Sequence, residues 1–440
     1  MQSSISLIED LKQFLDLSPT SWHAVSEITK RLKAANFIEL KEHEAWSIQK
    51  GKAYFVQRNG SSLCAFVIPH SHPHRIRLFA SHTDSPALKL KPKPEIRKNG
   101  IISFGVEVYG GPLLTSWLNR DLQLAGRILY KDQSNRIMEE LIELDKHPFL
   151  IPQVAIHLDR EVNEKGLLLN KQEHLNVLAA LEEQVPNDCS YLETLIREKI
   201  PKFARLIDFD LFFTPLEKAR LIGYQQEMLA SYRIDSLSSV HAILHALIQN
   251  SQPHSNDIKM AMFWDNEEIG SYTAQGADSP FFRQTMDRIL LGLNGGKEES
   301  FRLISQSTCV SIDLAHALHP NHTDKHDSQH QPLLGKGIVL KYNAQQKYAT
   351  NARSALPIHI AAEEQNIPLQ KFVSRNDMPC GSTIGPIQAS QTGMPTVDIG
   401  CGQLSMHSCR EILCCQDQIW LTSLLKSLMS IEHWPQIEKR

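Results

Sequence analysis

Apolar positions recur along this chain with two different periods, and the alternation between them predicts its layers. Leu7, Ile8, Leu11, Phe14 and Leu15, then Trp22, Val25, Ile28 and Leu32, fall at helical spacing, with Ser18-Pro19 as the break between them. Residues 53–57 and 62–68 read as strands joined through Asn59-Gly60, a hairpin signal. Residues 75–80, 309–313, 337–341 and 396–400 read as further strands, and the unbroken apolar run from Ile258 to Trp264 reads as a buried one. Val240, Ile243, Leu244, Leu247 and Ile248 trace one face of a helix, and residues 419–428 a closing helix. Strands alternating with helices predict an α/β fold built on an open mixed sheet. Between about Lys93 and Ala230 the pattern changes to alternating strand-like segments such as 106–109 and 122–129, rich in Gly, Pro and Trp, with an apolar run from Ile151 to His157. The prediction is an inserted, mostly β domain over 93–230, flanked by the two parts, 1–92 and 231–440, of one discontinuous domain.

Composition narrows the function classes. The 440 residues are 42% hydrophobic and 22% charged, as in ordinary globular proteins, and long enough for two domains. With 46 basic and 49 acidic residues the net charge is −3, which points away from nucleic acid and membrane surfaces. The eight cysteines include no Cys-x-x-Cys spacing, which argues against a disulfide framework and against a Cys-type zinc site. Cys414 and Cys415 read as reduced core residues inside a helical pattern. Glu9, Asp10 and Lys12 interrupt any secretion signal, and no apolar run reaches membrane-spanning length, so a cytoplasmic location is expected.

Chemistry collects where the predicted strands end. The strand closing at Trp264 runs into Asp265, Glu267 and Glu268; burying either glutamate unpaired costs several kcal/mol (roughly). One carboxylate on a cation and its neighbour facing substrate resolves that cost, while a solvated acidic loop is the plainer alternative. His82 and Asp84 alternate about Thr83 and share a face in extended backbone, as an imidazole ligand and its orienting carboxylate or as a polar strand end. Asp235 opens a helix, as N-cap or as ligand. With Asp313 and His407, the set comprises two histidines and several carboxylates, suited to zinc, with cobalt or manganese as substitutes. One bridging carboxylate would make a two-metal hydrolase site. The tract His316, His319, His322, His326, His330 is broken by Pro320, Asn321 and Asp324, so its side chains are expected to share no face, with one or two touching substrate. The Gly/Pro-rich segment 375–386 reads as an active-site loop and lacks the Lys-Ser/Thr of a P-loop.

These blocks, taken together, resemble the aspartyl aminopeptidase family of dinuclear zinc exopeptidases, relatives of the yeast vacuolar aminopeptidase. The resemblance is carried by SHTDSPALKLKP at 81–92, YGG at 109–111, RDLQLAGR at 120–127, DNEEIGS at 265–271 and DLAHALHPN at 313–321. It continues with KYNAQQKYATNA at 341–352, RNDMPCGSTIGP at 375–386 and MHSCRE at 406–411, in order along nearly the whole chain. It implies one zinc on His82, Asp235 and Asp313, a second on Asp235, Glu268 and His407, Glu267 as general base and Asp84 orienting His82. Substrate contacts fall on His316, Lys341 and Tyr348, and His157 matches a histidine that reaches a neighbouring subunit's site, with a metal-ligand role as its other reading. The inserted domain is implied to mediate dimers that build a dodecamer. Asn119 stands where relatives tend to carry aspartate, a departure that bears on the insertion and not on the metal positions.

The expected activity is removal of an N-terminal residue, Asp or Glu, from peptides with a free amine. The alternatives are an aminopeptidase of broad or neutral specificity, a metal-dependent deacylase or carboxypeptidase, and a metal-stabilised assembly or cargo-binding protein without turnover. A spare glutamate at position 267 argues against the last, since a purely structural closed site has no use for a base.

Overall fold

The strand Asp257–Trp264 is buried at every position, and its side chains alternate between two cores. Ala261 and Phe263 join one apolar cluster with Leu237, Val240 and Leu421. Ile258, Met260, Met262 and Trp264 join a second with Phe281, Met286 and Ile289. Such two-sided burial is what an interior strand with helices on both faces requires. In this computed structural model, which describes residues 2–186, 189–252 and 255–432, the chain divides into two compact units.

The first unit comprises residues 1–84, 219–406 and 411–440. Its nine-stranded mixed sheet runs, in spatial order, Ile38–Leu40, Ala53–Arg58, Ser62–Val67, Asp257–Trp264, Arg75–His82, Thr308–Ile312, Thr396–Gly400, Ile338–Tyr342 and Leu369–Val373. The four strands from Asp257–Trp264 to Thr396–Gly400 are mutually parallel, and antiparallel partners flank them. The hairpin at Asn59-Gly60 forms with both residues left-handed, φ 54° and 65°, in a three-residue connection between the paired Arg58 and Ser62. A five-stranded sheet accompanies it, ordered Arg220–Ile222, Met228–Ser231, Glu411–Cys414, Gly402–Leu404, Ala315–His316. Cys414 therefore ends a strand and Cys415 opens the closing helix Cys415–Ser430, so the pair straddles an element border instead of sharing a helix.

The second unit comprises residues 85–218 and 407–410. Its strands Ala87–Lys98, Ile101–Tyr109, Leu122–Asp132, Ile137–Phe149, Val177–Leu181 and Phe203–Pro215 form a six-stranded sheet whose pairings are all antiparallel. It starts before residue 93 because Ala87–Lys98 is one continuous strand of that sheet. It ends before 230 because Arg220–Ile222 and Met228–Ser231 pair within the first unit. The apolar run 151–157 forms no strand; Val154 and Ile156 are exposed. Asn119 takes a left-handed conformation, φ 55°, and its amide exchanges hydrogen bonds with Gln153.

Lys259 is a buried cation in the central strand, 1% exposed, donating to the carbonyls of Asn250 (2.9 Å) and Gln252 (3.2 Å). Burial, reinforced by the Arg77 charge, lowers its pKa to about 8. The unfolded chain holds that proton more tightly, so this group makes stability rise with pH between about 8 and 10.5. Urea unfolding across that window should show wild type gaining on Lys259→Met by up to about 1.4 kcal/mol per pH unit. Parallel profiles would contradict the account.

Candidate metal centre and substrate cavity

Three parallel strands end side by side. Arg75–His82 lies between Asp257–Trp264 and Thr308–Ile312, with Trp264 opposite His82 and Ser311 opposite Ala80. The chain leaving each strand therefore emerges on one sheet edge, carrying His82 and Asp84, then Asp265 to Glu268, then Asp313. Collecting polar groups at strand carboxyl ends is the general rule for open α/β sheets.

Asp235 reaches that edge from the helix Ile234–Gln249. The residue at its cap position is Arg233, left-handed at φ 65°, and Asp235 itself has extended backbone, joined to Ser236 through a cis peptide. Its carboxylate Oδ1 lies 3.4 Å from His82 Nε2. Glu411 accepts the Asp235 amide N–H at 3.0 Å, and the Arg233 guanidinium donates to the Thr83 carbonyl.

Asp84 works through both of its oxygens. They accept the amide N–H groups of Glu267 and Glu268, each at 3.1 Å, and so pin the short 3₁₀ turn Glu267–Ile269. His82 Nδ1 lies 3.1 Å from the Asp84 carbonyl and 3.5 Å from its carboxylate, which directs Nε2 towards Asp235 and Asp313. Asp313 Oδ2 accepts from Lys341 at 3.1 Å, and Lys341 also donates to the Leu314 carbonyl at 2.9 Å. Gly400 lets the backbone at Asp313 come close to its strand, because a Cβ there would collide with the Asp313 carbonyl.

The electrostatics ask for positive charge. Burial opposes protonation of His82, yet Asp235, Asp313 and Asp84 hold its imidazole well above the usual range. Loss of bulk water, opposed by the His82 charge and reinforced by Asp313, Asp84 and Asp235, pushes the Glu267 carboxyl up to about 8. Donor atoms of His82, Asp235 and Glu268 lie within 4.8 Å of one another. One imidazole among converging carboxylates fits a zinc ion in both donor type and charge. Glu411→Ala should lower zinc affinity by about 10–100-fold, the usual effect of removing a group that orients a ligand. Competition against a chromophoric chelator measures this; unchanged affinity would mean that the Asp235 backbone holds itself.

The other expected site residues fall in different places. Lys341 and Tyr348 are buried, with the ammonium 5.2 Å from the Tyr348 ring centre. Burial, with Cys380, Asp313 and Asp398 nearby, raises the Tyr348 hydroxyl well above its usual range, so it stays protonated. Tyr348 and His316 line a cavity of about 300 Å³ together with Phe372, which both rings meet edge-on. His157 is exposed in the second unit. His407 also belongs to that unit, where its Nδ1 lies 3.1 Å from the Gly111 carbonyl and its own carbonyl accepts from Leu113.

The histidine tract behaves differently from expectation. It forms no continuous helix, but its bends bring His316, His319 and His326 to the wall of the same cavity. Lys325 and Arg375 line it as well, and among the described residues its lining contains no carboxylate. Lys325 and Phe372 carry no motif of their own, whereas Arg375 opens the Gly/Pro-rich segment 375–386.

An open α/β sheet presenting an imidazole and convergent carboxylates at its carboxyl edge defines a metal-dependent hydrolase of the zinc peptidase class. Residues 14–429 match the family described as aminopeptidase I zinc metalloprotease (M18). A probable M18 family aminopeptidase 2 of Clostridium novyi is 37% identical over 98% of this chain and 100% of its own. One from Ectopseudomonas mendocina is 41% identical over 98% and 99%. Among solved structures, the Ape4 and Nbr1 complex superposes with TM-score 0.92 at 34% identity, over 97% of this chain and 86% of that one. The mApe1 dodecamer of S. cerevisiae superposes with TM-score 0.84 at 26% identity, over 99% and 98%. The chain belongs to the M18 family and is a zinc metalloaminopeptidase.

Proposed function

We propose that this aminopeptidase removes acidic residues, Asp or Glu, from the free N-termini of peptides. The observation that carries the specificity is a cavity walled by three imidazoles, Lys325 and Arg375, with the two cations paired to Asp324 and Asp377. An acidic side chain entering it meets the imidazoles and competes with Asp377 for Arg375, and a charge-assisted hydrogen bond of that kind contributes about 1.5–3 kcal/mol.

His82, Asp235, Glu268 and Asp313 are the proposed ligands of two zinc ions shared through Asp235, with His407 added on the family resemblance and cobalt or manganese as substitutes. Bound zinc supplies Lewis acidity to the scissile carbonyl and to the attacking water. Glu267 accepts the proton of that water and passes it to the departing amine, a role worth about 10²–10⁴-fold. Asp84 fixes where Glu267 and Glu268 stand by holding both amides. Lys341, expected to contact substrate, is proposed instead to orient Asp313, because its buried ammonium already donates to Asp313 and the Leu314 carbonyl; Tyr348 and His316 are the proposed substrate contacts.

Homo-oligomeric assembly, by dimers into a dodecamer, is proposed from the mApe1 dodecamer, with the 85–218 unit mediating it and His157 serving a neighbouring subunit's site. Among the described residues no helix is long and apolar enough to cross a membrane; a cytoplasmic location is proposed. Initial rates on Asp and Leu chromogenic amides test the specificity. Release favouring Asp supports the reading, and preference for Leu would remove the cavity's charge from it.

A further inference from the structure

Asp398 is fully buried in the strand Thr396–Gly400, which holds none of the proposed ligands. Its two oxygens serve two separate segments. Oδ2 accepts the Ala349 amide N–H at 2.7 Å, next to Tyr348. Oδ1 accepts the Thr383 hydroxyl at 2.6 Å, at the end of the loop carrying Arg375, Met378, Pro379 and Gly381. The Asp398 amide in turn donates to the Thr350 hydroxyl at 2.9 Å. Gly385 leaves room for this carboxylate, since a Cβ there would collide with both oxygens. The protein thus buries a carboxylate at a cost of several kcal/mol (roughly) unless it is hydrogen-bonded, and spends its bonds on the two walls of one cavity.

We propose that Asp398 is a positioning residue for substrate recognition: by tying the Tyr348 segment and the 374–383 loop to one buried carboxylate, it sets the shape of the cavity that receives the substrate's N-terminal side chain. The inference rests on the reading of that cavity as the substrate site. It separates two kinds of support in the same centre, with Asp84 and Glu411 holding metal-side residues and Asp398 holding the recognition side.

The test uses zinc-loaded full-length protein and an Asp chromogenic amide. Asp398→Ala should raise KM about 10-fold or more with kcat within about 2-fold and zinc content unchanged, the pattern of lost ground-state binding. Asp398→Asn should recover most of the loss, because a rotated amide still accepts from Ala349 and donates to the Thr383 hydroxyl. Hydrogen exchange should rise in 343–350 and 374–383 together in Asp398→Ala. Should that variant fail to fold, Thr383→Val, which frees only the second loop, should raise KM about 3-fold, roughly the 0.5–1.5 kcal/mol of one hydrogen bond. Unchanged KM in the folded variants, or loss of zinc and kcat at constant KM, overturns the inference. Inactive wild type would instead overturn the substrate reading itself.

Discussion

Glu267→Gln is expected to lower kcat by about 10²–10⁴-fold while zinc content stays near wild type. The amide keeps the shape of the side chain and the backbone N–H that Asp84 accepts, so the turn Glu267–Ile269 should persist. What disappears is the capacity to take a proton. A donor atom of Glu268 falls within 4.8 Å of those of His82 and Asp235, which supports Glu268 as the glutamate that faces the metal. Without metal, burial and neighbouring carboxylates push the Glu267 carboxyl up to about 8, and bound cations would draw it back down. Metal analysis and steady-state rates on the same preparation check the claim. Loss of zinc together with activity would mean that the two glutamates have exchanged roles.

Asp235→Ala is expected to abolish zinc binding and activity together, with an affinity loss exceeding the roughly 10–100-fold attributed to indirect supports. Its effect on stability differs with and without metal. In metal-free protein the substitution removes an ion pair with His82 and also one of the carboxylates that repel Glu267, two effects of opposite sign, so the melting temperature should change little. In the presence of zinc, wild type gains about 2.7 kcal/mol at a concentration 100 times Kd, and the variant gains almost nothing. Thermal unfolding with zinc and with chelator measures both. A variant that still gains stability from zinc as wild type does would remove Asp235 from the ligand set.

Much of this arrangement is legible from the strand ends alone. The run from Ile258 to Trp264 had to be an interior strand, and a strand cannot continue through Asp265, Glu267 and Glu268, so the acids had to lie at its edge. His82 and Asp313 followed from the same logic on the flanking parallel strands. The cavity was harder to see because bends in irregular loops build it, not a period: His316, His326 and Arg375 meet without any spacing that announces it. The boundaries of the second unit slipped because Ala87–Lys98 runs unbroken through the expected border, and no local signal marks which sheet a strand joins. Asp398 stayed hidden for a related reason. In Thr-Val-Asp-Ile-Gly it reads as a polar interruption of a strand, and only tertiary structure reveals the two segments its oxygens hold.

The most direct test of the account is a zinc titration of metal-stripped protein, following bound zinc per chain and the initial rate on an Asp chromogenic amide with its amine free or acetylated. The account predicts a rate that rises to saturation at two equivalents, with hydrolysis of the free-amine substrate alone. Full activity at one equivalent would contradict the shared two-ion centre, and cleavage of the acetylated substrate would contradict recognition of a free N-terminus.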